Sequence, residues 1–311
     1  MADETAEIPP ANPNKITTTM SKEGMLCAQA ALLIMALIPI YLGTKASIAT
    51  LIKRRAAIAR GEKVAADDIE ILQTKDAMKF PLTASCALFG LYVVVKTIDP
   101  TYLNYLLSTY FMIIGIFAIT NSLCEIPSLY KMFPQVFKND KFHLKFSQND
   151  EEHCNWNFTF VECVYGIFSL AIGAWYIIFK HWIANNVLGL AFSMNAIQLL
   201  QLGSFKTGAI LLGGLFFYDI FWVFGTEVMV SVAKTIDAPI KILFPTDFLT
   251  NGIFGTQHSM LGLGDIVIPG IMIALLARFD VSLGRSKNTY GEGSANLVFG
   301  QFCIFFKNRP L

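Results

Sequence analysis

Charge is scarce in this chain. Only 15% of its 311 residues are Asp, Glu, Lys or Arg, and 24 basic against 23 acidic side chains leave a formal net charge of +1. A chain so balanced has no global pull toward a phosphate backbone, so nucleic-acid binding is set aside. Metal and disulfide chemistry also lack their usual patterns. Cys27, Cys86, Cys124, Cys154, Cys163 and Cys303 contain no Cys-x-x-Cys pair, and His143, His153, His181 and His258 lack the close spacing of a zinc helix. Several of the cysteines lie inside apolar runs, where a thiol behaves as a small hydrophobe. No disulfide framework, metal site or cofactor is expected.

What the chain has in quantity is hydrocarbon. Hydrophobic residues make up 54% of it and its mean hydropathy is +0.51, the composition of a protein dissolved in lipid. The expected fold class is all-α, a polytopic membrane helix bundle with about seven transmembrane helices. The expected spans are 24–43, 80–98, 102–120, 160–179, 183–200, 207–232 and 260–278. Residues 1–23, with Pro9, Pro10, Pro13 and a threonine run, are expected to be a flexible tail, and 281–311 a short divergent one. The run from Leu297 to Phe306 is too short to cross a bilayer as a helix.

Basic residues set the orientation. Lys53, Arg54, Arg55, Arg60 and Lys63 follow the first span, and Lys131, Lys138, Lys141 and Lys145 follow the third. The excess of Lys and Arg marks the cytosolic side, which leaves the amino terminus on the other, lumenal face. Asn157-Phe-Thr159 fits a glycosylation sequon but falls on the cytosolic side, where it is expected to stay unmodified. Lys180-His-Trp182 is expected to be an interfacial anchor, and Asn185, Asn186, Asn195 and Gln198 to bond to neighbouring helices or to line a hydrated cleft. Gly208, Gly213 and Gly214 invite a close helix neighbour; Pro269 and Gly270 would kink or loosen their helix or mark an ordinary helix crossing, which is the preferred explanation for Pro269.

Two aspartates stand where a membrane helix should not want them. Asp219 lies in the apolar run from Thr207 to Thr226, about 18 Å along a helix from its start, and Asp265 lies in the run from Met260 to Ala277, closed by Arg278. An ionisable group at such depth costs about 2.5–3.5 kcal/mol on insertion scales and usually marks function. Two carboxyls in one low-dielectric site oppose double ionisation, so one stays an acid while the other serves as base. Three uses of the pair are open on the residues alone: peptide hydrolysis, structural bonding to backbone or polar neighbours, and an ion path.

Tyr218-Asp219 on one segment and Gly262-Leu-Gly-Asp265 on the next resemble the two halves of the presenilin-like intramembrane aspartyl protease pattern. The surrounding stretches 180–186, 221–226 and 238–242 are similar to the signal peptide peptidase branch of that family, and the likeness covers roughly 24–290. The resemblance implies catalytic roles for Asp219 and Asp265, with Tyr218, Gly262, Leu263 and Gly264 supporting the site. It implies that 24–280 is the protease domain, in the endoplasmic reticulum membrane. Implied substrates are membrane-spanning peptides, such as signal peptides and type II membrane segments; a second copy or quality-control proteins are the implied partners. The family's Pro-Ala-Leu triplet on a later helix does not occur in this sequence, which leads to the expectation of a truncated or alternative form that binds substrate and cleaves it poorly. The same departure motivates an alternative function, a non-catalytic membrane subunit or regulator that binds the same peptides.

Overall fold

The computed structural model describes residues 22–61, 70–126, 141–148, 151–255 and 257–282. The expected tails at 1–23 and 281–311 lie almost wholly outside these residues, as do Lys131 and Lys138. Backbone groups inside a bilayer find no water, so apolar runs of this length must satisfy their own hydrogen bonds as helices. The principal helices are α1 (Lys22–Ala59), α2 (Thr74–Thr97), α3 (Pro100–Glu125), α4 (Phe160–Phe179), α5 (Trp182–Leu199), α6 (Phe205–Asp219), the short α7 (Val228–Thr235), a single turn α8 (Phe248–Asn251) and α9 (Gly264–Ser282).

Helix starts carry the caps their sequences offer. Asp99 accepts from the Thr101 amide at 2.9 Å ahead of Pro100, the Thr159 amide donates to Glu162 at 2.9 Å in a capping box, and the Ser204 hydroxyl accepts from the Thr207 amide at 3.2 Å. Among the described residues, five helices are long and apolar enough to cross a membrane. The helices at the expected fifth and seventh spans fall outside that five for a chemical reason: α5 carries Asn185, Asn186, Asn195 and Gln198, and α9 carries Asp265, Arg278 and Asp280.

Several boundaries differ from expectation. The first helix does not stop at Gly43 but runs 38 residues, about 57 Å against a hydrocarbon core of about 30 Å. The change of polarity after Gly43 ends an apolar span, not a helix, because Ala, Leu, Lys and Arg all sustain one. The sixth span is not one helix to Val232: α6 ends at Asp219, a π-helical turn covers Ile220–Phe224, and α7 begins only at Val228. The seventh does not begin at Met260, since Met260, Leu261 and Gly262 are strand.

Three two-stranded sheets occupy stretches expected to be loop, save Leu200 at the end of the expected fifth span and Met260–Gly262 at the start of the seventh. Strand β1 (Glu70–Leu72) pairs in parallel with β4 (Leu200–Leu202), and β2 (Lys141–Gln148) pairs antiparallel with β3 (Glu151–Thr159), opposing His143 to Asn157. Strand β5 (Lys241–Pro245) pairs antiparallel with β6 (His258–Gly262), with Lys241 opposite Gly262 and Pro245 opposite His258.

Helix α5 is the wall shared by two cores. On one side Ile197 joins Leu32, Ala36 and Ile40 of α1, Leu211 of α6, Ile242 of β5 and Ile266, Ile271 and Ala274 of α9. On the other, Ala184, Leu188 and Ala191 pack with Ala118 and Ile119 of α3 and Tyr176 of α4. Close crossings depend on absent side chains. A Cβ at Gly270 would lie 2.4 Å from Ile197 Cδ1, one at Gly208 2.7 Å from Met272 Sδ and one at Gly214 2.5 Å from Pro81 Cγ, whereas Gly213 faces open space. Helix crossing is thus the role of Gly270, and two of the three α6 glycines admit a neighbour as expected.

Candidate active site

Asp219 and Asp265 sit at opposite chain ends of two touching helices. Asp219 is the last residue of α6 and Asp265 lies in the first turn of α9. The helices cross where Met272 packs on Gly208. From that crossing Asp219 is eleven residues on, about 16 Å, and Asp265 seven residues back, about 10 Å. The chain's own atoms leave both aspartates largely uncovered.

Each aspartate stands at a break in regular structure. The π turn at Ile220–Phe224 begins at the residue after Asp219 and closes at Gly225, where a Cβ would come within 2.5 Å of the Phe221 carbonyl oxygen. Such π turns inside helices frequently mark functional positions. Trp222, within the turn, is buried and its indole N–H donates to Ser85 Oγ on α2 at 2.9 Å, while the half-buried Tyr218 ring lies 6.5 Å from the Trp222 ring. Tyr218 is therefore placed beside Asp219 and against the residue that ties the turn to α2.

On the α9 side the break is a strand-to-helix joint. Gly262 is the last residue of β6, Leu263 follows, and α9 starts at Gly264. A Cβ on Gly262 would sit 3.9 Å from Asp265 Oδ2, and one on Gly264 would meet nothing within 4 Å. Space beside the carboxylate was expected of these glycines, but Gly262 supplies it from a strand rather than a helix. The Leu263 amide donates to Ile240 O at 3.0 Å, and its carbonyl accepts from the Val267 amide at 2.9 Å, so one residue links the sheet to the first helical turn.

The amides of α5 divide between two tasks. Asn195 donates to Ala118 O and Ser122 Oγ on α3, at 2.9 and 2.8 Å, and Gln198 to Glu125 Oε1 at 3.0 Å, the helix-to-helix bonding expected. Asn185 and Asn186 instead bond to strand β5, through Lys241 O at 2.7 Å and Leu243 O at 2.6 Å. A sequence without the strand in view offers no signal for that use.

Lys180-His-Trp182, expected as an interfacial anchor, also makes bonds within the protein. Lys180 adopts a left-handed conformation with φ 45° and its ammonium lies 3.6 Å from Asp237, in the segment between α7 and β5. The Trp182 indole donates to Ile253 O at 3.0 Å. Asn104 of α3 holds the same segment through Thr235 O at 3.0 Å and the Asp237 amide at 3.1 Å. The linker from α7 to β5 is thereby pinned by α3, α4 and the α4–α5 joint.

Residues 64–304 match the family model described as signal peptide peptidase. The chain is 47% identical over 283 residues to the signal peptide peptidase of Homo sapiens, covering 89% of this chain and 72% of that one. It belongs to the signal peptide peptidase family. The family is one of intramembrane proteases, which favours a protease over the non-catalytic subunit. A probable intramembrane protease of Schizosaccharomyces pombe is 32% identical across 83% of this chain and 70% of its own length. Intramembrane protease 2 of Caenorhabditis elegans is 67% identical over 102 residues, 32% of this chain and 22% of that one. No solved structure matches.

Proposed function

We propose that this intramembrane protease is an aspartic endopeptidase of the endoplasmic reticulum membrane, with the amino terminus lumenal, and that it cuts membrane-spanning helices such as spent signal peptides. The catalytic pair is Asp219 and Asp265, within a protease domain at 24–280. The observation that supports the proposal is that the two aspartates stand on the touching helices α6 and α9, each at a break in regular structure.

Two carboxyls in such a setting share one proton. The ionised member deprotonates a water, which attacks the scissile carbonyl; the protonated member donates a hydrogen bond to that carbonyl and then a proton to the leaving amine. The pair titrates as a unit, so acid and base roles belong to the dyad. No metal is needed, because the carboxylate generates the nucleophile. A substrate helix hides its carbonyls in its own hydrogen bonds, so the peptide must unwind before attack. Strand β6 ends three residues before Asp265, and among the described strands its outer edge has no partner, which gives an unwound peptide backbone groups to bond beside the carboxylate. Tyr218, Gly262, Leu263 and Gly264 support the site by proximity.

The test uses purified protein and a fluorescent signal-peptide substrate in proteoliposomes. Cleavage is expected from the unsubstituted chain, with Asp219→Ala and Asp265→Ala each reduced to background. Cleavage surviving either substitution sinks the dyad.

A further inference from the structure

We infer that Asn186, together with Gly189 one turn further along α5, is a positioning residue for Asp265, acting through strand β5 and Leu263. The inference rests on the catalytic assignment above and adds a residue that touches neither aspartate. Asn186 is 4% exposed and uses its amide as a strand uses its backbone: Nδ2 donates to Leu243 O at 2.6 Å and Oδ1 accepts from the Leu243 amide at 2.8 Å. Asn185, 5% exposed, donates to Lys241 O at 2.7 Å. The edge of β5 away from β6 is therefore bonded to α5.

From β5 the linkage runs toward the carboxylate through backbone hydrogen bonds. The strand is paired with β6 from Lys241–Gly262 to Pro245–His258, and the Ile240 carbonyl accepts from the Leu263 amide. Leu263 also meets α5 directly: a Cβ at Gly189 would lie 3.4 Å from Leu263 Cδ1 and 3.7 Å from Ile242 Cγ1. Asn185 and Gly189 are four residues apart, so the bonds to β5 and the seat for Leu263 lie on one face of one helix. Asp265 is two residues beyond Leu263 in the first turn of α9. A buried helix at the centre of the bundle thus fixes the height and rotation at which the carboxylate enters the site.

Misplacing a reacting group by about 1 Å can cost about a hundredfold in rate. Three variants are compared by kcat, KM and thermal unfolding in proteoliposomes. Asn186→Leu removes both bonds to Leu243; Asn195→Leu removes a comparable set of bonds from the same helix but on its α3 side. Asn186→Asp keeps the acceptor for the Leu243 amide and sets a carboxylate oxygen against Leu243 O, a contact that protonation converts into a donor. Asn186→Leu is expected to lower kcat at least about tenfold per folded molecule with KM within about twofold, while Asn195→Leu lowers the unfolding temperature and keeps kcat. The kcat of Asn186→Asp, taken as a ratio to the unsubstituted chain, is expected to rise as pH falls from 8 to 5.

Equal loss of kcat in Asn186→Leu and Asn195→Leu, or an unchanged kcat in Asn186→Leu, overturns the inference. If Asn186→Leu does not fold, a pH-independent Asn186→Asp ratio overturns it instead. These failures are separate from that of the dyad, which is read from Asp219→Ala and Asp265→Ala.

Discussion

Arg278 of α9 donates a 3.2 Å hydrogen bond from Nη1 to Ser47 Oγ of α1, and both residues are buried, with Arg278 7% exposed. Its Nη2 is also buried and makes no hydrogen bond to the described protein. The sequence places Arg278 as the polar stop of an apolar run, but the side chain turns back between two helices. A buried cation with no carboxylate partner among the described residues is weak evidence for stability, and an apolar residue of similar length is often neutral or better. Arg278→Met is therefore expected to unfold at the same or a higher temperature than the unsubstituted protein, whereas Ser47→Ala, which strands the guanidinium, is expected to cost about 1–3 kcal/mol. Thermal unfolding of both in detergent decides it; a large loss in Arg278→Met would show that the guanidinium holds more than Ser47.

The contact of Gly270 with Ile197 predicts a coupled pair. A methyl at Gly270 would lie 2.4 Å from Ile197 Cδ1 and 2.9 Å from its Cγ1, so Gly270→Ala overpacks the α5–α9 crossing by about 1–3 kcal/mol. Shortening the neighbour should return much of that loss. In a double-mutant cycle of Gly270→Ala with Ile197→Ala, the two losses are expected to be less than additive by at least about 0.5 kcal/mol. Strict additivity would mean that the helices separate rather than collide.

Apolar length and the cost of a carboxylate in lipid made the bundle and the two aspartates legible before any coordinates. What stayed hidden has a common cause. The β5–β6 pairing joins residues separated by a loop, and nothing in Lys241-Ile-Leu-Phe-Pro245 announces its partner. Asn185 and Asn186 look like any interhelical amides until that strand is in place. The π turn after Asp219 was hidden because Ile220-Phe-Trp-Val-Phe224 continues the apolar pattern of α6 without a proline, and only Gly225 marks its end. The extent of α1 was misjudged because polarity and helicity end at different residues.

Topology gives a prediction independent of catalysis. The proposed orientation puts the stretch after α1 and the β2–β3 hairpin on the cytosolic face, because the basic residues concentrate there. Protease added outside sealed microsomes is expected to cut within 60–70 and 126–159 and to spare the lumenal amino terminus. Asn157, opposite His143 in that hairpin, is expected to carry no glycan; a shift in mobility on endoglycosidase treatment that maps to Asn157 would reverse the orientation.

Gly225 tests whether the break beside Asp219 matters to the chemistry. Its Cβ would lie 2.5 Å from the backbone oxygen of Phe221, an atom that cannot rotate away, so Gly225→Ala must shift the turn itself. The Gly225 amide donates to that same oxygen at 3.1 Å, and Trp222 one residue beyond Phe221 is fixed to Ser85, so the displacement is directed back along the turn toward Asp219. Cleavage per folded molecule in Gly225→Ala is expected to fall by about tenfold or more through kcat, since an error approaching 1 Å at a reacting group costs about a hundredfold. Gly213→Ala is the matched control, because its Cβ would meet nothing within 4 Å and it replaces a glycine of α6, the helix that leads into the turn. It is expected to keep kcat and to gain slightly in stability, as alanine exceeds glycine in helices by about 1 kcal/mol. Full kcat in Gly225→Ala would show that the turn can relax toward Thr226 and leave Asp219 where it is.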